Sequence, residues 1–172
     1  MRQLDVRLRT YGITAVLGVA TLGGVAPQCE PAPAPAPAPA VAPVSNVQDS
    51  VVRSVNHHRS LAGRAPVVVD ARLTAAAQGH ADDLARRQTL THDGTGGTNG
   101  GQRITNAGYR WSTWGENVAS GQSTPADVMS AWVASPGHRA NILHAGVGHI
   151  GVAATTGSDG VVYWTMVVAA GS

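Results

Sequence analysis

The chain has 172 residues and a formal net charge of +2, which allows one domain of ordinary size plus accessory segments. All 12 basic residues are arginines and they are scattered, so the clustered basic face that nucleic-acid binding needs is excluded. Cys29 is the only cysteine, so no intrachain disulfide can form and export must be argued from other features.

The N-terminus has the pattern of an export signal. Arg2, Arg7 and Arg9 give a positive start, and Tyr11 to Ala26 is an uncharged, mostly apolar run. That run is shorter than the roughly 20 residues of a spanning helix and suits a signal-peptide core. Residues 1–28 are therefore read as a signal peptide or N-terminal anchor. Gly24 and Ala26 are small enough for a cleavage site, but Pro27 hinders a cut there, which leaves both release and retention open. Gln28 stands where a lipoprotein signal wants a small residue before Cys29. Residues 29–44 are read as a disordered linker, because proline alternates with alanine from Pro31 to Pro43 and blocks helix and ladder hydrogen bonds. At about 3.1 Å per residue the tract reaches roughly 40 Å, the length of a wall spacer. Membrane contact is expected only through the N-terminal segment.

The folded domain is expected over residues 45–172. Val47, Val51, Val55, His58 and Ala62 recur at helical steps, and Gly63 stops that helix. Asp70 is a good N-cap for a second helix with Leu73, Ala77, His80 and Leu84 on one face. Gly94 to Gly101 reads as a glycine-rich loop without the spacing or lysine of a phosphate-binding loop. A short helical piece around Ile104 and a turn at Gly108-Tyr109 follow. Val118 and Ala119 sit in a short strand. Ser123-Thr124-Pro125 then opens a third helix with Val128, Met129, Trp132 and Val133 as its apolar stripe, ended by Pro136-Gly137. Ile150–Thr155 and Val161–Val168 form a hairpin around Gly157–Gly160. The order predicts an α+β sandwich.

Several motifs carry a family resemblance. They are Asn56 to Arg59, Thr91-His92-Asp93-Gly94, and Gly108-Tyr109 followed by Gly115-Glu116-Asn117-Val118-Ala119. The most specific is Trp132 to Leu143, which holds Ser135-Pro136, His138-Arg139 and Asn141-Ile142-Leu143. In order and spacing this series resembles the bacterial branch of the CAP superfamily (cysteine-rich secretory, antigen 5 and pathogenesis-related proteins). The resemblance implies a three-layer α-β-α sandwich around a small antiparallel sheet. The leader and the Pro/Ala tether, for their part, point to an exported, extracellular protein associated with the cell wall or the membrane.

His92, Glu116 and His138 are the candidate catalytic or metal-binding residues. Two imidazoles and a carboxylate suit a divalent cation such as zinc, and the same trio suits general acid–base chemistry. No other cofactor is implied. The resemblance nominates His92 and Glu116 directly, whereas Ser135 and Tyr163 occupy the positions where the eukaryotic relatives carry a second Glu and a second His. Bland alternatives stand beside these readings: Glu116 paired with Arg139, His138 held at a helix end by Asn141, Asn117 fixing a loop, and His80 packed on its helix. His57, His144 and His149 read as surface or packing residues. Trp111 and Trp114 flank the expected cleft and offer stacking surfaces, while Trp132 and Trp164 belong in the core. No G-x-S-x-G elbow and no HExxH occur. Three functions remain: a monomeric module that binds a lipid, peptide or cell-wall ligand, a divalent-metal-dependent hydrolase using His92, Glu116 and His138, or a purely structural wall protein in which the tether matters more than the cleft.

Overall fold

The computed structural model describes residues 44–172. The leader and linker readings lie outside the described residues, except for Val44, which belongs to the first helix. The first helix, α1 (Val44–Leu61), buries Val47, Val51 and Val55 as its periodicity demands. Ala62 falls beyond the helix end and is exposed, and the fully buried position near that end belongs to Arg59. A buried guanidinium needs acceptors. Arg59 donates to the carbonyls of Ala65, Ile142, His144 and Val147 at 2.8–3.2 Å, tying α1 to the segment that leads into the hairpin.

Two residues, β1 (Val68–Val69), then pair in parallel with a later strand, an element too short to be seen in the sequence pattern. The second helix, α2 (Ala71–Arg87), starts as expected at Asp70, whose carboxylate accepts the Arg72 N–H at 2.8 Å. Leu73, Ala77, His80 and Leu84 are all buried, together with Ala76, Ala81 and Ala85. The glycine-rich stretch is only partly a loop. A 3-10 turn at Thr95–Gly97 leads to Asn99, which opens α3 (Gly100–Asn106) with a reciprocal capping box to Gln102. Gly100 and Gly101 are therefore helical, a correction that the Asn-x-x-Gln spacing explains.

The next strand, β2 (Trp111–Ser120), is much longer than Val118-Ala119 and carries the whole Gly-Glu-Asn motif. It extends because it pairs antiparallel with a long partner from Trp111 to Ser120. Thr124 caps α4 (Pro125–Ala134), with Val128, Met129 and Trp132 buried. Pro136 ends that helix but also occupies the first turn of another, α5 (Pro136–Ile142), where proline costs no hydrogen bond. The hairpin is β3 (His149–Thr156) and β4 (Val162–Gly171), paired from His149↔Ala169 to Thr156↔Val162.

The sheet order is β1-β3-β4-β2, a mixed α+β fold with three layers. Val47, Val51 and Val55 of α1, Trp132 of α4 and Ile142 of α5 pack with Ile150, Val152, Trp164, Met166 and Val168 on one face. Leu73, Ala77 and Ala81 of α2 and Ile104 of α3 pack with Ala153, Val167 and Ala169 on the other. The period-2 alternation of β3 and β4 produces this division. Gly151 sets the depth of α2: a Cβ there would stand 2.1 Å from the Leu73 carbonyl carbon.

Candidate functional site

In β2 the alternation sends Glu116 and Val118 toward α2 and α3, and Asn117 and Ala119 toward α4 and α5. Glu116 is only 6% exposed, and a buried carboxylate requires partners. Arg103 of α3 donates to its Oε2 at 2.7 Å. The Nδ1–H of His92, on the loop after α2, donates to its Oε1 at 2.9 Å. His80 of α2 places Nε2 3.8 Å from the same Oε1. Because the Thr91 carbonyl accepts from Nε2 at 3.1 Å, that atom carries the His80 proton. Burial pushes the His80 pKa down against the pull of Glu116, so its ring is neutral at pH 7.

Arg103 also donates to the carbonyls of His92 and Thr98 at 3.0 and 2.5 Å. Asp83 accepts the Thr95 N–H at 2.9 Å, and Arg87 donates to the Asp93 carbonyl at 2.6 Å. The loop bearing His92 is thus clamped to α2 and α3, with Glu116 at the centre of the clamp.

On the opposite face of β2, Asn117 donates to the His138 carbonyl at 3.0 Å. Asn141 donates to the Glu116 carbonyl at 3.0 Å and to Asn117 Oδ1 at 2.8 Å. Gly115 makes room for this, since a Cβ would stand 2.7 Å from Asn141 Oδ1. These bonds hold α5 against β2, and with it the half-buried His138. Because β2 is an edge strand, the two faces meet around it. Burial lowers the His138 pKa, and charge on His92 lowers it further.

The structure therefore brings His92 and Glu116 into contact and leaves His138 on the other face of the strand, where charge on His92 still reaches it. Among the described residues no group of three or more His, Cys, Asp or Glu side chains is arranged to hold a metal ion. The trio does not fit a resident divalent cation, because both Glu116 oxygens are engaged and one faces a guanidinium. Glu116 pairs with Arg103, not Arg139, which is exposed. Asn117 acts on backbone as expected, though from a strand. Ser135 joins α4 to α5, and Tyr163 donates to Asp159 Oδ2 at 2.8 Å. His57 and His144 are exposed, while His149 is half-buried and bonded to the Tyr109 hydroxyl at 2.7 Å. Trp132 and Trp164 are core residues. Sequence reasoning missed Arg103. The available signal was that the domain's one glutamate, once buried, must find a cation.

Several cavities border the described residues. One, of about 240 Å³, includes the Glu116 partners His80 and Arg103. Another, of about 400 Å³, lies between α3 and the rings of Trp111 and Trp114. Two adjoining ones, of about 120 and 520 Å³, share His58 and Val133 and form a groove between α1 and the α4–α5 segment.

Comparison with known proteins agrees with this architecture. The model of the cysteine-rich secretory protein (CAP) family matches residues 52–168. A Bacillus subtilis protein, YkwD, is 34% identical over 109 residues, which are 63% of this chain. The match spans 42% of that relative's length. An outer surface protein of Borrelia burgdorferi has a similar fold, with a TM-score of 0.67 at 22% identity over 72% of this chain and 92% of that one. So does an extracellular SCP-domain protein of Bacillus anthracis, with a TM-score of 0.66 at 22% identity over 73% of this chain and 41% of the other.

Proposed function

Since the chain belongs to the cysteine-rich secretory protein (CAP) family, we propose that it is an extracellular binding module that holds an apolar ligand without transforming it. The observation that carries this reading is the state of Glu116. It is the only glutamate of the folded domain, it is buried, and both of its oxygens are engaged by Arg103 and His92. A carboxylate held this way fixes a loop and offers no free oxygen to a substrate.

The fold leaves the α1–α4 groove available instead, walled by Leu61, Met129, Val133, Ile142 and Leu143, with His58 and Arg139 as its polar members. An alkyl body entering it gains about 25 cal/mol for each Å² of apolar surface removed from water. Work outside the cell is supported by the leader pattern and by the descriptions of the Borrelia and Bacillus anthracis proteins as outer-surface and extracellular. The test is binding of a long-chain fatty acid, a sterol and an apolar peptide, read by thermal shift and calorimetry. Saturable binding of an apolar probe, lost in a folded Val133→Arg variant, supports the reading. No binding of any of the three overturns it.

One observation favours a second reading. Glu116 holds Nδ1–H of His92, which leaves Nε2 as the ring's free acceptor on an exposed side chain whose charge is felt by His138. On this reading the protein is a hydrolase that uses His92 and His138, with Glu116 orienting the first. Hydrolysis of peptide or ester substrates that is lost in His92→Ala/His138→Ala supports this reading, and hydrolysis that survives the double substitution overturns it.

A further inference from the structure

We infer that the groove between α3 and the Trp111/Trp114 pair is a binding subsite for an uncharged sugar carrying an acetamido group, such as an N-acetylhexosamine unit of a glycan. The groove measures about 400 Å³, within the range of roughly 300–1,000 Å³ typical of small-ligand sites. Its side chains are Asn99, Gln102, Thr105, Asn106, Trp111 and Trp114. None of them ionises. In a chain with 12 arginines, that composition argues against recognition of an anionic ligand.

The aromatic surface is held in place by the backbone beneath it. A Cβ on Gly100 would stand 2.5 Å from Trp114 Cζ3, and one on Gly101 would stand 2.9 Å from Trp111 Cζ2. The glycines that open α3 thus let both indoles lie against its first turn. The rings meet edge to face at 76°, with centroids 6.1 Å apart, and both remain partly exposed. Trp111 is fixed further by its N–H, which donates to the Gly101 carbonyl at 3.2 Å and to Thr105 Oγ1 at 3.0 Å.

Hydrogen-bond accounting separates a sugar from its rivals. The capping box engages the side-chain oxygens of both amides: Asn99 Oδ1 accepts from Gln102 N–H, and Gln102 Oε1 accepts from Asn99 N–H, each at 2.9 Å. Their NH₂ groups have no acceptor among the described residues, and neither has the Trp114 indole N–H. The groove therefore presents aromatic faces bordered by donors. An alkyl chain would leave those donors unsatisfied. An extended peptide would bring a run of N–H groups, whereas the only amide oxygen without an internal partner belongs to Asn106. A pyranose supplies ring, hydroxyl and carbonyl oxygens for the donors and a C–H face for the indoles. Its acetamido N–H needs a single acceptor, which Asn106 provides.

This subsite is separate from the α1–α4 groove and shares no residue with it, so either reading can fail alone. The test uses the full chain and two tetrasaccharides, N-acetylchitotetraose and cellotetraose, which has a hydroxyl in place of each acetamido group. Binding is followed by calorimetry and tryptophan emission. The informative variant is Asn99→Asp/Gln102→Glu, because Asp and Glu preserve the cap and the capping box while removing both NH₂ donors. The expected result is saturable binding of N-acetylchitotetraose, about tenfold or more weaker in the double variant, which is roughly 1.4 kcal/mol. Trp114→Ala is expected to lose both binding and the emission change. No saturable binding of either sugar up to about 10 mM, or binding unaltered in the folded double variant, overturns the proposal. Equal affinity for cellotetraose overturns the acetamido assignment.

Discussion

Replacing Glu116 by glutamine is the most direct test of the polar clamp. The change keeps the side-chain volume but removes the charge that Arg103 faces at 2.7 Å and the acceptor that His92 faces at 2.9 Å. The Glu116 side chain is 3% exposed and that of Arg103 12%, so the guanidinium keeps its charge in a largely dry site. Breaking one partner of a buried pair costs about 3–5 kcal/mol. Glutamine retains one carbonyl oxygen for Arg103, which places the expected loss near the lower end, at about 3 kcal/mol. For a domain of this size that is a fall in Tm of roughly 10 °C. Urea unfolding of wild type, Glu116→Gln, Arg103→Met and the double variant measures the pair as a cycle. The double variant should recover part of the loss, because no buried charge is left alone. A Glu116→Gln protein within about 0.5 kcal/mol of wild type would refute the claim that this carboxylate organises the loop.

Three further outcomes are expected. Burial lowers the His80 pKa, so its contribution to stability is fully present above the unfolded value near 6.5 and is lost as the pH falls from there through the folded value. Unfolding measured from pH 8 to 5 should show this slope, flattened in His80→Gln. Gly151→Ala should cost about 3 kcal/mol or more, read by urea unfolding, since its Cβ would meet the α2 backbone at 2.1–2.2 Å and backbone cannot step aside. The hydrogen bonds from Arg72 hold Asp70 down at about 2, so its stabilisation is present above the ordinary carboxylate value near 3.9 and is lost as the pH falls toward 2. Asp70→Ala should cost about 1 kcal/mol at pH 7 and less in acid, checked by thermal unfolding at both.

Elements with strong periodicity or caps were legible before any coordinates. The Val47-Val51-Val55 stripe, the Asp70 cap and the hairpin around Gly157–Gly160 all formed where the residue pattern placed them. Elements defined by a partner were not. Trp111 to Gly115 contains no regular alternation of apolar residues, and it is a strand only because β4 offers it a ladder as far as Gly171. β1 exists because Val68 and Val69 lie beside His149 and Ile150. At Pro136 two signals coincide, since the residue that cannot continue α4 is well suited to start α5.

The site was legible in its members but not in their grouping. Motifs could nominate His92, Glu116 and His138, but the strand period decides which of them share a side. Glu116 and Asn117 are adjacent in sequence, so a strand must turn them to opposite faces. The carboxylate then meets His80, Arg103 and the His92 loop, while the amide meets α5 and carries His138 with it. A three-residue centre including His138 would require Glu116 to reach around the edge of its own strand, against the ion pair to Arg103. Reorganising that pair costs more than a single neutral ligand bond returns. The arrangement therefore favours a buried polar clamp, which leaves the apolar groove of α1 and α4 and the aromatic groove of α3 as the two surfaces to test for ligands.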